Sequence, residues 1–196
     1  MTAPSSRARS FRRVCVYCGS SNDVPPHFFE VARQVGRHLA AASIGVVFGG
    51  GRVGLMGALA DATLEAGGEV LGVIPQKLMD RELGHDGVTE LFVVGDMHER
   101  KTKMAALSDA FIALPGGWGT LEEIFEVTTW TQLGYHDKPV GLLNADGYYD
   151  LLIAFLEHAA DAAFIRTTHR NLLQRADNIG DLLELLRTMK LPATAP

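Results

Sequence analysis

Cysteine is scarce in this chain: of 196 residues only Cys15 and Cys18 are cysteines, in the stretch VCVYC. A zinc site of the two-knuckle kind needs a second C-x-x-C, and there is none. Side chains three apart on a strand point to opposite faces, so the pair reads as two small packed hydrophobes rather than a redox couple. Long apolar runs are also missing, and no stretch approaches the ~20 residues of a membrane span. Basic charge is not in excess. The formal net charge of -5 argues against a general nucleic-acid or membrane surface, while leaving room for a local basic pocket. The pattern G-x-x-x-x-G-K-[ST] occurs nowhere, so P-loop ATP hydrolysis has no support. No clustered metal-ligand motif stands out, and we expect no metal and no cofactor.

What is present is the material of one ordinary domain: 47% of residues are hydrophobic and 21% charged, enough for a sizeable core. The first thirteen residues, MTAPSSRARSFRR, are polar, arginine-rich and free of acid. We read residues 1–13 as a disordered tail, residues 14–190 as a single domain and the cytoplasm as the compartment. Short apolar runs near 14–18, 44–48, 70–74, 91–94, 110–114 and 139–143 alternate with helical patterns near 26–42, 54–66, 97–108, 120–133, 148–163 and 179–189. Continuous apolar strands alternating with helices predict an α/β fold: a Rossmann-like, doubly wound parallel sheet with helices on both faces.

Ligands of such sheets bind at the carboxyl ends of the strands. Three loops there stand out: CGSSN after the first strand, GGGRVGLMG after the second and PGGWGT after the fifth. Gly49, Gly51 and Gly54 spell G-x-G-x-x-G between a strand and a helix. The next strand, however, ends VIPQK, with no acid for a ribose hydroxyl, which speaks against NAD. A phosphate contact and a tight turn with close helix packing both stay open for this loop.

PGGWGT is the stronger signal. Its glycines leave backbone N–H groups free, and a helix expected to begin near Thr120 adds its positive end, so the loop is chemically a phosphate cradle. The acids of TLEE admit two accounts. One is a capping box with Thr120 at N-cap and Glu123 at N3. The other is catalytic: a carboxylate set beside a bound phosphate repels it, unless it also meets positive charge developing on the ligand. A ribosyl oxocarbenium ion is such a charge. Upstream, GDMHERKTKMAAL reads as a helix capped by Asp96 that places Arg100 on or beside its apolar stripe, with Lys101 next to it. A snorkelling side chain and a group reaching the cradle are the alternatives there.

MHERK followed by PGGWGTLEE resembles the signature of the Lonely Guy (LOG) family, whose pattern P-G-G-x-G-T-x-x-E is matched by Pro115 to Glu123. The resemblance extends to YCGSS, GGGRVGLMG, WTQLGYHDKPVGLLN and GYYDLL, and covers about residues 14–165. It implies a Rossmann-like fold, usually a homodimer. It implies hydrolysis of adenosine 5′-monophosphates, N6-modified or not, to free base and ribose 5-phosphate. It also implies Arg100 and Glu123 as the catalytic pair. Lys101, Gly117, Gly119 and Thr120 become substrate contacts, with Gly116 and Trp118 completing the loop. Glu82 and Thr129 match further contacts of the family. The expected partners are therefore a nucleoside 5′-monophosphate and a second copy of the chain, with no nucleic acid and no membrane. The alternative is a non-catalytic protein of the same fold that binds a nucleotide or a phosphorylated cofactor. Pyridoxal-phosphate decarboxylation, suggested by an old label of the family, finds no lysine in a convincing cofactor setting.

Overall fold

The computed structural model describes residues 8–81 and 83–191. Among these, seven strands form one parallel sheet. They are β1 (Arg13–Tyr17), β2 (Gly45–Phe48), β3 (Val70–Pro75), β4 (Glu90–Val94), β5 (Ala110–Ala113), β6 (Val140–Leu143) and β7 (Leu173–Ala176). Their spatial order is β4-β3-β2-β1-β5-β6-β7. Seven α-helices connect or flank them: α1 (Pro26–Ala41), α2 (Gly54–Glu65), α3 (Gln76–Met79), α4 (Met97–Leu107), α5 (Trp118–Leu133), α6 (Asp150–Asp161) and α7 (Ile179–Thr188). The fold is the doubly wound sheet expected from the β–α alternation. None of the helices is long and apolar enough to cross a membrane.

The two faces of the sheet bury separate cores. Val14, Val16, Val46 and Phe48 pack under α1, α2 and α7, with Leu39, Leu59 and Leu182. Cys15, Tyr17, Val47 and Phe111 pack under α4 and α5, with Met104, Ile124 and Val127. Period-2 alternation along β1 thus sends Cys15 to one core, while Cys18 joins the other. Both thiols are free and buried. Burial pushes the Cys15 thiol up to about 12 and the Cys18 thiol higher still, so neither is poised as a nucleophile.

Strand order reverses between β1 and β5, and the ligand crevice of an open α/β sheet lies at that switch point. The three glycine-bearing loops follow β1, β2 and β5, three adjacent central strands. They therefore converge at one place on the carboxyl edge of the sheet.

Two elements were not legible in the sequence. β7 (LQRA) is a half-polar edge strand with no fully buried residue, and α3 is a single turn, too short to show a period. The tail also ends earlier than read. The Arg9 N–H donates to the Arg187 carbonyl at 2.9 Å, Arg9 Nη1 donates to the Asp137 carbonyl at 2.7 Å, and Phe11 is buried in the core. Residues 1–7 lie outside the described part.

Candidate active site

Helix α4 begins with a reciprocal cap. The Asp96 carboxylate accepts from the Glu99 N–H at 2.8 Å, and Glu99 Oε2 accepts from the Gly95 N–H at 2.8 Å. That start fixes Arg100 in the first turn, on the face that also buries Met104. Arg100 is 9% exposed. Its Nε donates to the Val73 carbonyl at 3.2 Å, and its Nη1 donates to Glu123 Oε1 at 2.5 Å. Gly49, after β2, lies against the same guanidinium: a Cβ there would sit 2.1 Å from Arg100 Nη2. A side chain at position 49 would displace the guanidinium, so glycine there serves the placement of Arg100.

The G-x-G-x-x-G loop departs from a dinucleotide site in a second way. The first N–H groups of α2 already have protein acceptors. The Gly54 N–H donates to Asn22 Oδ1 and the Leu55 N–H to the Gly19 carbonyl, both at 2.9 Å. Gly54 has φ of +62°, and a Cβ would lie 2.5 Å from the Ser20 backbone. The close-packing reading of this loop therefore holds, and two of the first-turn donors of α2 are already taken by the loop after β1.

Helix α5 is the opposite case. Its N-cap is Gly117, not Thr120, and no side chain caps it. The capping box read from TLEE is not formed. Helical geometry starts one turn earlier, because glycine is an acceptable N-cap and Thr120 Oγ1 packs against the Gly116 Cα, where a Cβ would come within 2.1 Å of it. Glu123 is consequently released from any capping duty. Among the described residues, the N–H groups of Gly117, Trp118, Gly119 and Thr120 meet no protein acceptor. Cβ atoms at Gly117 and Gly119 would touch nothing within 4 Å. Four consecutive free donors at a helix N-terminus, with open space before them, have the chemistry that suits an anion.

These donors, Thr120, Arg100 and Glu123 line one cleft of about 440 Å3 at the switch point, within the range of small-molecule sites. Its other wall is apolar: Met56, Ile74, Leu78, Leu83 and Met97. Glu123 is 9% exposed, and its Oε2 makes no hydrogen bond among the described residues. Burial pushes its carboxyl above the usual carboxylate range, and Arg100 offsets that only in part.

Other expected residues fall differently. Trp118 contributes its backbone N–H, but its indole is 89% exposed. Lys101 is turned away from the cleft by the helical rotation that separates it from Arg100. Its Nζ donates to Glu122 Oε1 at 2.6 Å and Glu126 Oε1 at 2.9 Å, a tie between α4 and α5. Thr129 lies about 9 Å beyond Glu123 along α5, where its hydroxyl donates to the Phe125 carbonyl at 2.8 Å. Neither belongs to the cleft of this chain. Glu82 lies outside the described residues. The Val73 carbonyl and the apolar wall were not foreseen, since nothing in a strand or a four-residue turn marks them by type.

The fold and site together define a class: an α/β enzyme acting on a phosphorylated ligand. A family model described as possible lysine decarboxylase matches residues 56–186. Cytokinin riboside 5′-monophosphate phosphoribohydrolase LOG5 of Arabidopsis thaliana is 49% identical over 180 residues, which is 92% of this chain and 79% of that protein. Probable cytokinin riboside 5′-monophosphate phosphoribohydrolase LOGL2 of Oryza sativa subsp. japonica is 51% identical over 176 residues, 90% of this chain and 72% of that one. The chain belongs to this LOG phosphoribohydrolase family.

Two solved structures share the fold. The molybdenum cofactor binding protein of Rippkaea orientalis gives a TM-score of 0.64 at 26% identity, covering 85% of this chain and 89% of that one. The molybdenum cofactor carrier protein of Chlamydomonas reinhardtii gives 0.64 at 21%, covering 86% and 91%, a likeness of fold alone. The decarboxylase description finds no counterpart in the cleft. Among its described lining residues none is a lysine, so no amine stands there to form a Schiff base.

Proposed function

We propose that this protein hydrolyses the N-glycosidic bond of adenosine 5′-monophosphates, including N6-modified ones, to free base and ribose 5-phosphate. The single observation that carries this is the placement of Glu123 one turn beyond four unpaired N–H donors, in the same cleft. The donors of Gly117 to Thr120 hold the 5′-phosphate, which sets the ribose against Glu123. As the C1′–N9 bond breaks, its electron pair leaves with the base and positive charge grows on the ribose. The ionised Glu123 stabilises that charge and orients the water that adds to C1′. The hydroxyl ends on C1′ and one proton ends on the departing base. Arg100 stays charged and keeps Glu123 aimed and ionised against its burial. The apolar wall of Met56, Ile74, Leu78, Leu83 and Met97 suits an N6 substituent without charge.

Chromatography of AMP and isopentenyladenosine monophosphate after incubation with the purified protein tests this. Free adenine-type base and ribose 5-phosphate are expected. Release of inorganic phosphate with an intact nucleoside would make the protein a phosphatase. Recovery of unchanged, bound nucleotide would favour a carrier, a role that the phosphoribohydrolase names of its sequence relatives do not favour. The phosphate contact also predicts that adenosine is cleaved at least about a hundredfold less efficiently than AMP, equivalent to roughly 2.7 kcal/mol. Near-equal specificity constants would remove the phosphate from the cradle.

We further propose a homodimer in the cytoplasm. Ile124 and Val127 of α5 are buried within the chain, but Leu133 is 60% exposed, and α6 buries no residue fully and leaves Leu151 88% exposed. Such apolar helical surface suits a second copy. Thr129 lies outside the cleft of its own chain, so the contact expected of it with the nucleotide there would come from a second copy. Two free thiols suit a reducing compartment. A monomer mass by light scattering at micromolar concentration would contradict the dimer.

A further inference from the structure

Behind the phosphate loop stands a pair of adjacent tyrosines. After β6 the chain makes a 3-10 turn, Ala145–Gly147, in which Asp146 and Gly147 both have positive φ. Asn144 closes this turn: its Oδ1 accepts from the Tyr149 N–H at 2.8 Å, and its Nδ2 donates to Asp150 Oδ1 at 2.9 Å. The turn aims two rings at the segment following β5. The Tyr149 hydroxyl donates to the Leu114 carbonyl at 2.6 Å, and the Tyr148 hydroxyl donates to the Gly116 carbonyl at 2.8 Å. The Tyr148 ring is itself held edge-on by Phe28 at 5.5 Å and Tyr149 at 4.9 Å between centroids.

The peptide linking Gly116 to Gly117 is trans, so its C=O and its N–H point in opposite directions. Tyr148 lies with Val24, Phe28 and Leu55 on the far side of the loop and does not line the cleft. With its carbonyl tied to that far side, the peptide directs the Gly117 N–H toward the cleft. A peptide plane between two glycines, turning about the ψ of the first and the φ of the second, meets the least steric resistance. Were it to flip, a carbonyl oxygen would face a phosphate dianion in place of a donor.

We infer that Tyr148 is a positioning residue for the anion site, acting through the Gly116–Gly117 peptide to keep the first of the four donors aimed at the 5′-phosphate. This rests on the reading of the cleft as a phosphate site, and the experiment separates the two. Tyr148→Phe retains the ring and removes only the hydroxyl. Dissociation constants of ribose 5-phosphate, inorganic phosphate and adenine are measured by calorimetry for the wild type and the variant, alongside their melting temperatures.

The expected result is binding of both phosphate compounds about fivefold weaker, the worth of one neutral hydrogen bond, with adenine binding unchanged and the melting temperature lower by no more than a few degrees. The ratio of specificity constants for AMP over adenosine should fall by the same factor. Unaltered affinity for ribose 5-phosphate in the variant overturns the positioning role, as does an equal loss for adenine, which would mark a merely structural contact. A wild type that binds ribose 5-phosphate but leaves AMP intact would sink the hydrolase reading alone, and the binding constants would still decide the role of Tyr148. A wild type that binds neither phosphate compound overturns both.

Discussion

Arg100 and Glu123 meet at 2.5 Å although they lie on different helices with a strand between them, and both are 9% exposed. Desolvation of the carboxyl exceeds what the guanidinium returns, so Glu123 sits above the ordinary carboxylate range while remaining paired. A buried carboxylate with one oxygen bound and the other unoccupied by protein is costly to the fold and useful to a reaction that develops positive charge.

Glu123→Gln should bind ribose 5-phosphate as the wild type does and lose about 100- to 1000-fold in turnover, the usual worth of one electrostatic stabiliser. Turnover within a few-fold of wild type would remove Glu123 from the chemistry.

The same variant tests the raised pKa through stability. A carboxyl whose folded pKa is raised contributes stability that is full below its unfolded pKa and lost as pH rises through the folded one. The melting temperature of Glu123→Gln relative to wild type should therefore climb as pH goes from acid toward neutral. A difference independent of pH would mean that Glu123 is not shifted upward.

Arg100→Ala should lower turnover and move the acid limb of kcat/KM to higher pH, because the buried carboxyl loses its main cation and is driven further upward. The loss should thus be larger at pH 6 than at pH 8. Arg100→Lys should recover little, since an ammonium cannot serve the Val73 carbonyl and Glu123 with one planar fork. A loss of equal size at both pH values would show that Arg100 does not set the ionisation of Glu123.

Two glycine substitutions in one loop should behave oppositely. Gly119→Ala meets open space and favours the helix by up to about 1 kcal/mol, so the melting temperature should hold or rise while ribose 5-phosphate binding weakens. Gly116→Ala drives a methyl into Thr120 Oγ1 and should lower both stability and binding. Thermal melts with calorimetry on the same preparations decide it. A Gly119→Ala protein that binds normally would place the anion elsewhere.

Lys101→Ala should lower stability by about 1–3 kcal/mol in urea titrations, since it leaves Glu126 part-buried without its cation. Unchanged stability with a raised KM for AMP would instead restore Lys101 as a ligand contact.

The sequence by itself determined the local elements and the chemistry of one loop. Buried parallel strands are continuous apolar runs, so β1, β2, β3, β5 and β6 were legible to within a residue or two, as were the longer helices; the edge strand β4 was legible from its apolar run although it is only partly buried. PGGWGTLEE pointed to free backbone donors at a helix start with acids beside them, because glycines and a helix start are local facts. Tertiary structure decided the rest. Periodicity tells which residues share a face and not which faces meet. Arg100 and Lys101 are neighbours in the chain, yet helical rotation and the packing of α4 on α5 sent one to the cleft and the other to Glu122 and Glu126. The shift of the N-cap from Thr120 to Gly117 came from the contact of Thr120 with Gly116, and the need for glycine at position 49 came from an arginine 51 residues later. The polar edge strand β7 owes its place to pairing with β6, which no pattern of its own residues encodes. These outcomes depend on long-range packing, whose energy is collected only when distant segments close on one another.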